Sequence, residues 1–157
     1  MSGNKQQTIS LNLQLQMIRA RPHHVSDIMN ILRHPNIIKR GFYRPNWLRK
    51  NMDNHEVWIL VNKNEEIFGI IIGIREPPVR IKKLVIRPDV QHMRLGTRMV
   101  KEFIRDYEAT APILPNTLPF WEKLGFKIVR QTMSLKGNPL FEVRKFNDNS
   151  QLDEFCR

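Results

Sequence analysis

The stretch DVQHMRLGTRMV, Asp89 to Val100, holds residue types that can grip a phosphate. A loop here runs into an apolar-periodic helix. The first turn of a helix leaves about four backbone N–H groups without intrahelical partners and carries partial positive charge. An anion is favoured at such a mouth by roughly 0.3–1 kcal/mol. Backbone that touches a ligand usually calls for glycine, and Gly96 supplies one. Arg94 stands where another is expected. A side chain is tolerated there if the backbone stays right-handed and the side chain points outward. Arg94 and Arg98 would then add charge-assisted contacts to phosphate oxygens. The spacing also suits an ordinary amphipathic helix behind a loop.

A second chemical signal lies upstream, in RHPNIIKRGFYRPNWLRK. Arg33, Lys39, Arg40, Arg44, Arg49 and Lys50 occur there without an acid, interleaved with Phe42, Tyr43 and Trp47. Cations track phosphates and flat rings stack on unpaired bases, so this composition suits RNA or DNA in single-stranded or flipped form. A solvated cationic face with its rings buried as core is the competing reading.

The bulk composition sets the frame for both. The chain has 157 residues, 41% hydrophobic and 26% charged, enough for one globular domain with its own core. Residues 1–50 hold nine Lys/Arg against the single acid Asp27, and residues 51–157 hold 17 against 14. Most of the net charge of +11 therefore sits in the N-terminal third, where an acidic partner is expected. Cys156 is the only cysteine, which excludes a disulfide framework or a multi-cysteine metal site; no metal is expected, and a reducing cytoplasm is the expected compartment. The longest apolar run, Ile67 to Ile74, is far short of the ~20 residues that span a bilayer, and MSGNKQQTIS lacks a secretion-signal pattern.

The elements that position these residues follow from periodicity. Residues 1–10 are polar and expected to be flexible, residues 11–146 form the domain, and 147–157 are a tail without clear signal. Leu11, Leu13, Leu15 and Met17 alternate as in a strand. Val25, Ile28, Met29 and Leu32 fall at helical spacing behind Pro22. Pro35, Gly41 and Pro45 break the basic segment into short pieces. VWILVNKN and EIFGIIIGIRE predict a hairpin turning at Asn62–Glu66, and VRIKKLVIRP a third strand ended by Pro88. Leu95, Met99, Phe103 and Tyr107 make one helical row, so the helix is expected to run to Tyr107 with that ring on its core face. APILPN predicts a short strand, TLPFWEKL a helix closed by Gly125, and FKIVRQTMSL and PLFEVRKF a final pair of strands. This order predicts an α/β domain with a mixed sheet and helices on its faces.

LVIRPDVQHMRLGTRMVKEFI resembles the acyl-CoA motif of the GNAT superfamily of N-acyltransferases, a strand with an apolar-x-Pro step followed by Gln/Arg-x-x-Gly-x-Gly/Ala opening a helix. NTLPFWEKLGFKIV is similar to the second signature of that family, with Gly125 and Phe126 in place. The resemblance covers roughly residues 11–146. It implies a single-domain, mostly antiparallel mixed sheet flanked by helices, and acetyl-CoA or another acyl-CoA as cofactor. Its pyrophosphate would rest on Gln91, His92, Met93, Arg94, Leu95, Gly96, Thr97 and Arg98, and its pantetheine arm on the backbone of Leu84, Val85 and Ile86. Asn116 and Trp121 would lie beside it, although Asn116 is closer to the aromatic pair than family spacing has it.

The implied chemistry is acyl transfer to a primary amine, which needs a deprotonated nucleophile, a stabilised oxyanion and an exit for the thiolate. Backbone N–H of Leu84–Ile86 can serve the oxyanion. The family often places a tyrosine in the aromatic pair to protonate sulfur; Phe120 and Trp121 stand here, and an indole is no acid. The usual glutamate base is replaced by Arg80, with Glu76 the nearest substitute and Tyr43 a candidate acid. The basic segment would border the acceptor groove, so Arg33, Lys39, Arg40, Tyr43, Arg44, Trp47, Arg49 and Lys50 are the expected acceptor contacts. The acceptor would be nucleic-acid-linked, an aminoacyl-tRNA or modified base. A protein N-terminus or small amine is the alternative acceptor, and a non-catalytic binding scaffold the alternative function.

Overall fold

The computed structural model describes residues 14–38 and 43–146. Seven strands form one sheet: β1 (Gln16–Arg19), β2 (Glu56–Val61), β3 (Ile67–Ile74), β4 (Val79–Ile86), β5 (Ala109–Ile113), β6 (Lys127–Met133) and β7 (Pro139–Lys145). Their order is β1-β2-β3-β4-β5-β7-β6. The helices are α1 (Val25–Leu32), α2 (Pro35–Ile38), α3 (Pro45–Asn54), α4 (Leu95–Ile104) and α5 (Leu118–Lys123). β1/β2, β5/β7 and β6/β7 pair antiparallel and β4/β5 pair parallel, which is the mixed, mostly antiparallel α/β fold expected. The expected flexible N-terminus (1–10), the first strand residues Leu11 and Leu13, and the tail 147–157 lie outside the described residues.

The chain divides into two compact units. The first comprises Met1–Ile72 and Lys83–Phe103. Its apolar cluster joins Val25, Ile28, Met29 and Leu32 of α1 to Leu48 of α3 and to Val57, Ile59, Ile70 and Ile72 of the sheet. Full burial of such a side chain contributes about 1.5–3 kcal/mol, so the stripe read at helical spacing is what docks α1. The hairpin turn forms as expected: Asn62 N–H bonds Glu66 C=O at 3.2 Å, and Asn62 Oδ1 accepts from the N–H groups of Asn64 and Glu66. On β3, a Cβ at Gly69 would lie 2.5 Å from Met99 Sδ and 2.9 Å from Ile86 Cδ1, so this glycine is what lets α4 and Ile86 approach the strand.

Helix α4 buries Leu95, Met99, Val100 and Phe103. It stops at Ile104, three residues short of expectation. Arg105 takes a left-handed backbone (φ 53), and Tyr107, expected on the core face, is 46% exposed. The apolar row continues in the sequence past the point where the chain leaves the helix.

The second unit comprises Gly73–Lys82 and Ile104–Arg157. The parallel pairing of β4 with β5 runs through Val79–Ala109 and Arg80–Thr110. Helix α5 ends as WEKLGF suggests. Gly125 has φ 95, its N–H bonds Glu122 C=O, and Phe126 N–H bonds Trp121 C=O. The Trp121 and Phe126 rings meet 5.1 Å apart, the apolar contact that accompanies this type of helix stop.

Candidate cofactor and acceptor site

In the first unit, β4 ends in a short turn that feeds α4. The end of the strand is fixed by Arg87. Its N–H bonds Phe68 C=O at 2.8 Å, its guanidinium lies 4.2 Å from the Phe68 ring centroid, and its Nε donates to Asp89 at 2.7 Å. A 3-10 turn, Pro88–Met93, follows and buries Val90 and Met93. Gln91 Nε2 donates back to Ile86 C=O at 3.2 Å, closing the turn on the strand.

Arg94 joins this turn to α4, with φ 58 and ψ 27. The expectation of right-handed backbone at this position is therefore wrong. The chain adopts the conformation in which glycine is easiest, and an arginine holds it. The side chain is exposed, as expected. Left-handed backbone here redirects the chain, so that Leu95 and Gly96 are buried while His92 and Arg94 stay at the surface. Arg98 N–H bonds Arg94 C=O at 3.3 Å; in an α-helix the amides ahead of such a first bond have no intrahelical acceptor. Thr97 is half-buried on this first turn. Arg98 does not simply face outward: its guanidinium donates to Glu102 at 3.1 Å and to Leu15 C=O.

The two faces of the distal half of β4 have different neighbours. Ile86 points to Gly69 and Met99, the side of α4. Val85 packs on the apolar cluster with Tyr43 and Trp47. Leu84, Val85 and Ile86 are all half-buried. Lys83 shares the face of Val85 by strand alternation, and its Nζ lies 4.4 Å from the Tyr43 ring centroid. Tyr43 and Trp47 are 4.6 Å apart between centroids. Arg33, Arg44, Arg49 and Lys50 are exposed, while Lys39 and Arg40 lie outside the described residues. Lys83 was not among the expected site residues; its only sequence signal is a charge at an inward strand position, and Tyr43 is forty positions away.

The second unit holds the remaining expected residues. Glu76 is exposed and lines a groove with Ile74, Arg80, Glu108, Thr110 and Arg144. Arg80 donates to Glu142 at 2.7 Å and to Thr110 at 3.2 Å, and Glu142 is only 8% exposed. Asn116 is exposed in a 3-10 turn, Pro115–Thr117, and Trp121 is buried against Phe126. The candidate acid Tyr43 and candidate base Glu76 thus belong to different units.

A further cluster, His23, His24 and Glu65, brings its ligand-type atoms within 4.8 Å of one another. His24 Nδ1 accepts the Arg21 N–H at 2.9 Å, so a neutral ring carries its proton on Nε2. That nitrogen is buried 3.5 Å from Glu65 Oε1 without a hydrogen bond to it, and a proton there offers a metal no lone pair.

Comparison with known proteins follows the same lines. Residues 53–128 match the family described as Acetyltransferase (GNAT) domain. Compared by sequence with curated proteins, the chain finds no match. Among solved structures it is similar to Ard1 from Thermoplasma volcanium, at 12% identity and TM-score 0.67, covering 84% of this chain and 97% of that one. It is similar to the ribosomal-protein-S18-alanine N-acetyltransferase from Escherichia coli, at 12% identity and TM-score 0.66, covering 83% and 92%. It is similar also to Arabidopsis thaliana Naa50 in complex with the bisubstrate analogue CoA-Ac-MVNAL, at 12% identity and TM-score 0.64, covering 84% and 98%.

Proposed function

We propose that the chain is a member of the GNAT superfamily, whose acetyltransferase domain residues 53–128 match, and that it transfers an acetyl or related acyl group from acyl-CoA to a nucleic-acid-linked primary amine. The observation that carries the cofactor assignment is the turn at Arg94. A left-handed residue, a buried Gly96 and the first amides of a ten-residue helix follow the half-buried end of β4 across the 3-10 turn Pro88–Met93. These groups fit a diphosphate joined to a peptide-like arm: the amides of His92 to Thr97 would hold the first, and the backbone of Leu84 to Ile86 the second. Arg94, exposed beside the mouth, adds positive charge.

The bound cofactor supplies the activated thioester. The chain would orient it through β4, and backbone N–H of that strand would stabilise the oxyanion. Tyr43, half-buried beside Lys83, is the acid that the first unit offers; Glu76 is a solvent-exposed base in the second. Thiols ionise near ~8.5, so a thiolate departs without strong acid assistance. The exposed Arg44, Arg49 and Lys50 support an anionic acceptor and oppose a polyamine. A protein N-terminus is the competing acceptor, supported by the likeness to a ribosomal-protein-S18-alanine N-acetyltransferase and to a protein bound to CoA-Ac-MVNAL.

One observation favours a second reading, a binding scaffold without turnover. Arg80, at the family's usual base position, is locked to Glu142 and Thr110 and cannot accept a proton. Thermal unfolding with and without acetyl-CoA tests the cofactor seat. At a hundredfold excess over Kd the linkage contributes about 2.7 kcal/mol, a Tm rise of about 5–10 °C for a chain of this size. Thr97→Glu, which places a like charge at the mouth, removes the rise. No rise at saturating acetyl-CoA rejects the cofactor seat, and a rise without thiol release on any amine favours the scaffold.

A further inference from the structure

We propose that Lys83 is a phosphate contact for the acceptor, held in place by Tyr43 at the edge of the acyl seat; this rests on the acceptor class proposed above. Lys83 stands one residue before Leu84 on β4 and is half-buried on the face of Val85, where Tyr43 and Trp47 pack. Its ammonium lies 4.4 Å from the Tyr43 centroid, within the range in which a ring quadrupole attracts a cation. Among the described residues no carboxylate forms an ion pair with it. An aromatic ring steadies a lysine without neutralising it, so the full charge remains available to an anion. Trp47 and Lys83 both approach Tyr43 within 4.6 Å of its centroid, which leaves little of that ring for a nucleobase. Tyr43 therefore acts here by positioning a cation, in place of the stacking role its sequence context suggests.

The exposed Arg44, Arg49 and Lys50 belong to the same unit and extend the positive surface. A phosphodiester following that surface would meet Lys83 one residue before the backbone proposed to hold the pantetheine arm.

Fluorescence anisotropy with a labelled ten-nucleotide single-stranded RNA tests this, with acetyl-CoA melting shifts measured on the same variants. Lys83→Ala is expected to weaken RNA binding about five- to tenfold at low salt and to lower the slope of log K against log salt by about 0.7, one phosphate contact. Lys83→Arg restores both, Tyr43→Leu loses part of the affinity, and Lys127→Ala, a surface charge removed on β6, leaves the slope in place. The acetyl-CoA shift stays unchanged in Lys83→Ala. RNA affinity and slope equal to those of the original chain in Lys83→Ala, or no RNA binding by the original chain, overturn the proposal. A lost acetyl-CoA shift in Lys83→Ala overturns it as well, by identifying the cofactor as the anion that Lys83 holds. If no variant, the original included, responds to acetyl-CoA while the RNA effect persists, the transferase reading fails and the phosphate contact stands.

Discussion

Arg94 and Arg80 occupy positions where the superfamily prefers other residues, and the structure gives each a different physical task. Arg94 holds left-handed backbone at a strain on the order of 1–2 kcal/mol, while its exposed side chain contributes charge beside the helix mouth. Replacing it with glycine relieves the strain and frees the unfolded chain, so Arg94→Gly is expected to change stability by less than about 1 kcal/mol. Acetyl-CoA affinity would fall severalfold if the guanidinium helps to hold the diphosphate; titration calorimetry on the two proteins reads that difference. Arg80 is a structural cation. Truncating it to alanine leaves Glu142, 8% exposed, without its 2.7 Å partner, and should destabilise the chain by about 1–3 kcal/mol. Glu142→Gln in that background should recover part of the loss, and urea unfolding of the double-mutant cycle checks it. Additive effects would mean that the pair contributes nothing as a pair.

Elements are placed by what their backbones can approach. Both glycines of β3 in question are packing glycines, and they differ in what would resist a side chain. At Gly69 the obstacles are the ends of Met99 and Ile86, which can move. At Gly73 the obstacle is the Arg80 carbonyl oxygen, 2.1 Å from a built Cβ. Gly73→Ala is therefore expected to cost about 2–3 kcal/mol and Gly69→Ala about 1 kcal/mol, the overpacking range, with calorimetric Tm as the check. Equal losses would mean that the β3 backbone yields as readily as a methionine. The same contrast marks what the sequence makes legible. Helical spacing reports burial and apolar runs report strands, so α1, β2 to β7, the Asn62–Glu66 turn and the Gly125 stop are legible from side-chain type, while of the alternating row read for the first strand only Met17 lies within β1. Backbone handedness at Arg94 and Arg105 is not legible, because a non-glycine residue carries no mark of positive φ; helical spacing alone therefore carries α4 three residues too far, to a Tyr107 that is exposed. The Lys83–Tyr43 contact joins residues forty positions apart and leaves no periodic trace.

At the scale of the molecule, charge is the property left to explain, since the fold alone does not select an acceptor. The first fifty residues contribute nine basic groups against one acid, and those described in α3 and just before it, Arg44, Arg49 and Lys50, are exposed. Exposed like charges on one segment repel one another and add little to stability, so removing Arg49 and Lys50 should leave Tm nearly unchanged. Their effect on a polyanion is larger, because each phosphate neutralised releases condensed counterions and steepens the salt dependence. Arg49→Glu combined with Lys50→Glu is accordingly expected to weaken binding of single-stranded RNA at least tenfold at low salt. The slope of log K against log salt should fall by about 1.4 if both groups contact phosphates, while acetyl-CoA still raises Tm as before. A peptide acceptor would respond differently. Turnover of an N-terminal peptide untouched by the double charge reversal, with RNA affinity negligible in the original chain, would move the acceptor from nucleic acid to protein and reduce the basic segment to a solvated surface.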